Sequence, residues 1–175
     1  MRVYDLIAAC DDGKDRPLDV NRRRIVIVHR SGMGDDAVAI SRAFQAPGEA
    51  GDATGHQMPY TFVITRDGAV EQALRIGDYG PHALSWSIEG IGVALVGDMR
   101  EEPPTGYQRQ SLIRLCSTLG RWLGGSTVVW GHDELVNASR DPNKECPGRL
   151  LCMDALRRDI DVENREACEA VGIVF

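Results

Sequence analysis

Two histidines and one cysteine are the residues of this sequence with the clearest potential for chemistry. His29 ends the apolar run "IVIVH", and His132 ends a second run, "TVVWGH". Cys146 lies further along in "DPNKECPG", a loop that Pro142 and Pro147 stiffen. Two imidazoles and a thiolate form a three-ligand zinc set with the fourth position open, which is typical of catalytic rather than structural zinc sites.

Each of these residues also has a simpler interpretation. A lone histidine at a strand end is more often a core residue with one hydrogen bond, and a lone cysteine is more often a buried thiol. A third possibility is a thiol hydrolase with Cys146 as nucleophile and His132 as base, but it leaves His29 without a role. A chelator would separate the thiol enzyme from the zinc enzyme, because only a metalloenzyme would lose its activity.

Three continuous apolar runs predict buried strands, at 25–28, at 91–97 and in "TVVWGH". Two further β-rich runs flank "RDG" at 66–68, and Asp-Gly is typical of a hairpin turn. Sites are commonly built where strands end at one edge of a sheet. His29 and His132 are therefore expected to lie together.

Helical spacing of apolar residues predicts three helices. The first lies in "GDDAVAISRAFQ" with Asp35 as its cap, and the second runs from a Thr105 cap to about Leu123. The third follows the "CPG" sequence, and the tail 161–175 is expected to add a short helix. The second helix is expected to bury Leu112, Leu115, Cys116, Leu119, Trp122 and Leu123. Together these elements predict an α/β domain with a central mixed sheet flanked by helices.

Composition limits the class of protein. A length of 175 residues suits a single domain, and the net charge of -6 argues against a nucleic-acid partner. The three arginines at 22–24 are interpreted as solvent-exposed residues on the segment that leads into the first strand. No apolar run is long enough to cross a bilayer, and Asp5 interrupts the N-terminal apolar patch. We therefore expect a protein made in the cytoplasm without a recognisable signal peptide and not inserted in a membrane. We also expect a monomer.

The five cysteines are an odd number without the spacing of a disulfide framework. Reduced thiols are the simplest interpretation. Cys116 and Cys152 fall on helical apolar faces and are expected to be core residues.

Six sequence blocks occur in a characteristic order: "IVIVHRS", "MPYTFVITRDGAV", "GPHALSWSIEGIGVALVGD", "PPTGYQRQSLIRL", "VVWGHDE" and "KECPG". In these blocks the chain resembles the zinc-dependent N-acetylmuramoyl-L-alanine amidases, which share a fold with animal peptidoglycan recognition proteins. The small phage lysozyme-type amidases are the closer branch. The resemblance covers roughly 29–156 and implies one amidase domain over 1–175. Its core would be about 22–160, with terminal extensions at 1–21 and 161–175.

The resemblance also implies the site, position by position. The zinc ligands would be His29, His132 and Cys146, the catalytic residues Tyr60 and Lys144, and the substrate-binding residue His82. Two positions depart from the family pattern: Ser87 stands where an asparagine is usual, and Ala94 where some members have a glutamate. The groove is expected between the 46–59 loop, the 82–86 turn and the loop before the cysteine.

The implied activity is Zn²⁺-dependent hydrolysis of the amide bond between N-acetylmuramic acid and L-alanine in peptidoglycan or its muropeptides. Members of the fold that lack the zinc cysteine bind peptidoglycan without cutting it. Because Cys146 is present here, the enzyme is favoured over that binding module. Its site of action would be the cell wall or periplasm if it is endolysin-like or exported, and the cytoplasm otherwise.

Overall fold

The structure is a computed structural model, which describes residues 1–11, 17–45, 58–123, 128–135 and 145–170 of the chain. Within these ranges the chain forms six strands and four α-helices. The strands are β1 (Val3–Asp5), β2 (Ile25–Ser31), β3 (Phe62–Ile64), β4 (Val70–Gln72), β5 (Gly90–Val96) and β6 (Val128–Gly131). The helices are α1 (Ile7–Cys10), α2 (Ala37–Gln45), α3 (Gly106–Trp122) and α4 (Met153–Ala170).

The six strands form one mixed sheet in the order β1-β4-β3-β5-β2-β6. β3 and β4 are antiparallel and form the expected hairpin, whereas the other neighbouring strands are parallel. The predicted α/β fold with a central mixed sheet is thereby confirmed. β2 lies between β5 and β6, so the strand that carries His29 is at the centre of the parallel region.

The two faces of the sheet have different partners because successive side chains of a strand point to opposite sides. Val26 and Val28 of β2 belong to the main core, together with apolar residues of α3 and α4. Ile27 and His29 point to the other face, where α2 packs. The candidate site is therefore on the α2 side of the sheet, and the larger apolar core lies on the α3–α4 side.

The N-terminal cap predicted for α3 is confirmed, and the one predicted for α2 is wrong. Thr105 caps α3 through a reciprocal capping box with Gln108, as its position before the apolar run predicts. The assignment of Asp35 as the cap of α2 is wrong, because Asp36 accepts a 2.7 Å hydrogen bond from the backbone N–H of Ala39. Asp35 and Asp36 both precede the helix. Because the helix begins at Ala37, the residue in the cap position is Asp36.

Three expectations about the helices need correction. Trp122 ends α3 with 52% of its surface exposed, although the other five predicted positions are wholly or partly buried. Cys152 is exposed because it precedes α4 and does not share its apolar face. α4 continues through Ala170, so the predicted separate tail helix is an extension of it. No helix within the described ranges is both long and apolar enough to span a membrane.

Arg23 is a further correction, since it is only 4% exposed where a solvated arginine was expected. Its guanidinium donates hydrogen bonds to five backbone carbonyls, four on the chain between β4 and β5 and one on the first residue of β5. The acceptors are Ile76, Asp78, Ser87, Ile88 and Gly90. Carbonyls that turn inward in an irregular segment need such a donor, because burying them unpaired costs free energy.

We expect the substitution Arg23→Leu to lower the free energy of unfolding by about 3 kcal/mol, because buried carbonyls lose a charged donor. Chemical denaturation monitored by circular dichroism measures the change. Arg24→Leu is the matched control, since Arg24 is the exposed neighbour in the same triplet and should change stability by about 0.5 kcal/mol or less. Equal losses in the two variants would contradict the role assigned to Arg23.

Candidate metal centre

The structure brings His29, His132 and Cys146 together. One potential ligand atom from each lies within 4.8 Å of the other two. The three residues are 1%, 2% and 3% exposed, respectively. The cluster combines residues that are far apart in the sequence, as expected for a site assembled at the end of parallel strands.

The pairing of β2 and β6 sets the position of the two histidines. Val28 pairs with Gly131, so the residues that follow, His29 and His132, are neighbours across the strands. Their ring centroids are 4.6 Å apart. At Gly131 the chain leaves β6 for a short 3₁₀ turn, and the backbone N–H of Gly131 donates to the Glu134 carboxylate at 2.7 Å. This local bond fixes the turn that carries His132.

Hydrogen bonds to two backbone carbonyls, those of Glu145 and Cys146, hold the loop that carries the cysteine. The N–H of Asp133 donates to the carbonyl of Cys146 at 2.7 Å, and Arg30 Nε donates to the carbonyl of Glu145 at 3.1 Å. Gly148 has a φ of 115°, and a Cβ there would lie 2.6 Å from the carbonyl carbon of Met99. Glycine is needed at this position for both reasons, and it lets the loop pack close to the chain after β5.

The donors fit a zinc ion. Cys146 Sγ lies 3.7 Å from His29 Nδ1. Zn–N bonds near 2.05 Å and Zn–S bonds near 2.3 Å in a tetrahedron imply a nitrogen–sulfur distance of about 3.6 Å. Imidazole and thiolate are also the donor types that zinc prefers in proteins. The distance between Cys146 and His29 and the donor chemistry of the cluster thus agree with a zinc ion held by His29, His132 and Cys146.

Tyr60 lies beside this cluster, with its ring centroid 5.2 Å from that of His29. The side chain is buried and packs with Val63 and Ala94 on the α2 face of the sheet. Burial is the main factor that raises the pKa of its phenol, and the nearby Cys146 adds to the rise while Arg30 opposes it. The protonated phenol is a hydrogen-bond donor next to the candidate metal centre. Lys144, the second predicted catalytic residue, lies outside the described residues.

His82 is buried beneath His29, with 8% of its surface exposed. Its Nδ1 lies 3.0 Å from His29 Nε2, and its Nε2 lies 3.3 Å from the carbonyl oxygen of Gly90. Burial lowers the pKa of His82 to about 3. The charges of Arg23 and His132 lower this pKa further, whereas the hydrogen bond to the carbonyl of Gly90 raises it. Both ring nitrogens are therefore engaged inside the protein, and the predicted contact with substrate stays a prediction.

The two positions that depart from the family pattern have structural explanations. Ala94 pairs with His29 across β5 and β2 and is fully buried, so it places a methyl group where some amidases have a carboxylate. Ser87 accepts a 2.8 Å hydrogen bond from the backbone N–H of Ala83 and stabilises a short 3₁₀ turn at Leu84–Ile88. Ser87 is therefore a structural residue of this turn.

The residues that pack behind the cluster were not predicted from the sequence. Gly92 was included only in the predicted strand 91–97, Gly90 lay just outside that strand, and Arg30 was given no role. A signal for the glycines exists, because Gly90, Gly92 and Ala94 are small residues at alternate positions and so share one face of β5. The contacts of Arg30 with Glu145 and Asp98 join distant segments and have no local signature. Of the predicted walls of the groove, residues 46–57 and 136–144 lie outside the described ranges.

A mixed sheet with helices on its faces and a buried His-His-Cys cluster at the end of its parallel strands define the amidase class of α/β fold. Residues 19–149 match the family described as N-acetylmuramoyl-L-alanine amidase, and the chain belongs to this family.

Similar proteins agree with this assignment. A peptidoglycan-recognition protein from Drosophila simulans is 28% identical over 92 residues, or 53% of this chain and 48% of that protein. The match thus spans about half the length of this relative. The N-acetylmuramoyl-L-alanine amidase LysC from Clostridium intestinale URNW superposes with a TM-score of 0.71 at 19% identity, over 92% of this chain and 98% of that one. Peptidoglycan recognition protein-LE, solved with tracheal cytotoxin, gives 0.69 at 16% identity, over 89% and 92%. These two structural similarities show the fold.

Proposed function

We propose that this chain is a zinc-dependent N-acetylmuramoyl-L-alanine amidase. It would hydrolyse the amide bond between the lactyl group of N-acetylmuramic acid and the L-alanine of the stem peptide. The observation that carries this proposal is the cluster of His29, His132 and Cys146, buried in a member of an amidase family with its ligand atoms within 4.8 Å of one another. Within the described ranges the cluster has three protein donors, the number typical of catalytic zinc sites.

When bound there, zinc would act as a Lewis acid toward the scissile carbonyl and make water a nucleophile near neutral pH. The protein residues would prepare the site for this chemistry. His29 lies in β2, and His132 directly follows the paired strand β6. The carbonyl of Cys146 accepts a hydrogen bond from the N–H of Asp133, so hydrogen bonds fix the backbone that carries the three donors. Preorganised donors of this kind are what a catalytic centre requires.

Tyr60 would act on the substrate rather than on the metal. Its buried phenol keeps its proton, and it lies next to His29, so it can donate a hydrogen bond to the oxyanion that forms during amide hydrolysis. The resemblance assigns Lys144 a related role, in which its ammonium supplies positive charge to the same oxyanion. Ala94 carries no carboxylate, so a base at that position, as proposed in some amidases, has no counterpart here.

The substrate class rests on the family and on the similar structures. LysC is named as an N-acetylmuramoyl-L-alanine amidase, and the ligand bound to peptidoglycan recognition protein-LE is a monomeric diaminopimelic acid-type peptidoglycan. We therefore propose that this chain acts on peptidoglycan or on muropeptides released from it. Action at the cell wall as a monomeric, one-domain enzyme is part of the same proposal.

The products of digestion test the proposed activity. Incubation with purified peptidoglycan should release new amino termini that belong to L-alanine and should create no new reducing ends. A glycosidase would do the opposite, because it cleaves the glycan and uses a pair of carboxylates across the bond. Amino-terminal labelling and a reducing-sugar assay on the same digest measure both products. New reducing ends that persist in the presence of a chelator would overturn the proposed reaction.

A further inference from the structure

His82 stands behind the candidate metal centre and its contacts are not explained by substrate binding. Its ring is buried, one nitrogen faces His29 and the other faces the carbonyl of Gly90. A carbonyl oxygen can only accept a hydrogen bond, so the proton of the neutral His82 ring is on Nε2. Nδ1 of His82 is then a hydrogen-bond acceptor.

The same reasoning assigns the proton of His29. Because Nδ1 of His82 accepts, Nε2 of His29 carries the hydrogen and donates it across the 3.0 Å contact. Nδ1 of His29 then carries the in-plane lone pair of the ring, and this is the atom that faces Cys146 Sγ at 3.7 Å. In a neutral imidazole only one nitrogen can bind a metal, so the contact with His82 selects the form of His29 that can act as a ligand.

β5 provides a slot for the His82 ring. A Cβ on Gly92 would lie 2.9 Å from His82 Cγ, and a Cβ on Gly90 would lie 3.1 Å from His82 Cε1. A Cβ on Gly92 would push the ring away and one on Gly90 would crowd its edge, so glycine at these alternate positions lets the ring lie directly against the strand. The Gly90 carbonyl also accepts a hydrogen bond from Arg23, which holds this acceptor in place behind the ring.

We propose that His82 is a positioning residue for the metal centre, which orients His29 and fixes the tautomer that ligates the ion. This inference rests on the proposed zinc centre and assigns His82 a role other than substrate binding. Partners of this kind usually contribute about 10–100-fold to metal affinity, and they are most often carboxylates or backbone carbonyls. Here an imidazole nitrogen takes that place.

The test compares two substitutions of nearly the same shape. His82→Asn keeps an acceptor at the position of Nδ1, whereas His82→Leu replaces it with a methyl group. Zinc affinity is measured by competition with a chromogenic chelator, and the visible absorption of the Co²⁺-loaded protein reports the geometry around the ion. We expect the leucine variant to lose about 10–100-fold in zinc affinity and to change its cobalt spectrum, and the asparagine variant to keep most of both.

Each outcome decides between the proposals. If the wild-type protein binds neither zinc nor cobalt, the zinc centre itself is wrong. If it binds them and both variants match it, or if both variants lose affinity equally, the zinc centre stands and the role of His82 is overturned. Thermal melting of the metal-free protein shows whether the leucine variant folds. If it does not, the zinc affinity of Gly92→Ala is compared with that of the wild-type protein instead. This substitution displaces the ring and retains every hydrogen-bonding group, so unchanged affinity in this variant would also overturn the role.

Discussion

Replacing Cys146 with serine is expected to remove both zinc and hydrolysis. The serine hydroxyl is a poor zinc ligand at neutral pH, so the two histidines alone must hold the ion in a site that is 3% or less exposed. The zinc content should fall from about one per chain to well below that, as measured by elemental analysis after dialysis. The rate of amide hydrolysis should fall by about 10³-fold or more, since a Lewis acid contributes several kcal/mol to the transition state.

Cys152→Ser is the matched control for this substitution. Cys152 is a thiol on the same segment, but it is exposed and is not part of the buried cluster, so its loss should leave both zinc and rate unchanged. Full zinc occupancy in the Cys146→Ser variant would contradict the ligand assignment. Retained zinc binding with no hydrolysis in the wild-type protein would instead favour a peptidoglycan-binding module.

The thiol hydrolase requires a separate comparison, because it also loses its activity when Cys146 is replaced. A chelator distinguishes the two mechanisms, since it would remove zinc from a metalloenzyme and leave a cysteine nucleophile intact. The geometry favours zinc, because Cys146 Sγ faces His29 Nδ1 at 3.7 Å, whereas the thiol mechanism gives His29 no role. Wild-type activity that survives complete removal of zinc would reverse this preference.

Much of the fold follows from patterns that act over short distances. Continuous apolar runs predicted the buried strands β2 and β5, because strands covered on both faces have no polar side to expose. The Asp-Gly turn between β3 and β4 has a Gly68 φ of 82°, which its residue type predicts. The parallel pairing then placed His29 next to His132, so two strand-end histidines were enough to locate the cluster.

The errors arise where distant segments decide the outcome. Arg23 was expected in solvent because its neighbours are arginines, yet its five carbonyl partners lie more than fifty positions away. Cys152 has helical spacing from residues of α4, but the helix begins one residue later and leaves the thiol exposed. The burial of His82 has no local signal either, because the ring is enclosed by His29 of β2 and by the glycines of β5. No local pattern contains this information.

Replacing Tyr60 with phenylalanine should separate catalysis from metal binding. The substitution keeps the ring that packs with Val63 and Ala94 and removes only the hydroxyl group. Because a phenol held in protonated form is not a zinc ligand, zinc content and thermal stability should stay close to those of the wild-type protein. The value of kcat for amide hydrolysis should fall by about 10²- to 10³-fold, which is the usual effect of removing one oxyanion donor.

Tyr107→Phe is the control for the loss of a phenol, since Tyr107 is 70% exposed at the start of α3 and should show no change in rate. The effect of Tyr60→Phe should fall on kcat more than on KM, because the hydrogen bond strengthens as charge develops on the oxygen in the transition state. A variant with unchanged kcat would show that Tyr60 only fills space beside His29. A variant that also loses zinc would show instead that the tyrosine supports the ligands, and its proposed catalytic role would be withdrawn.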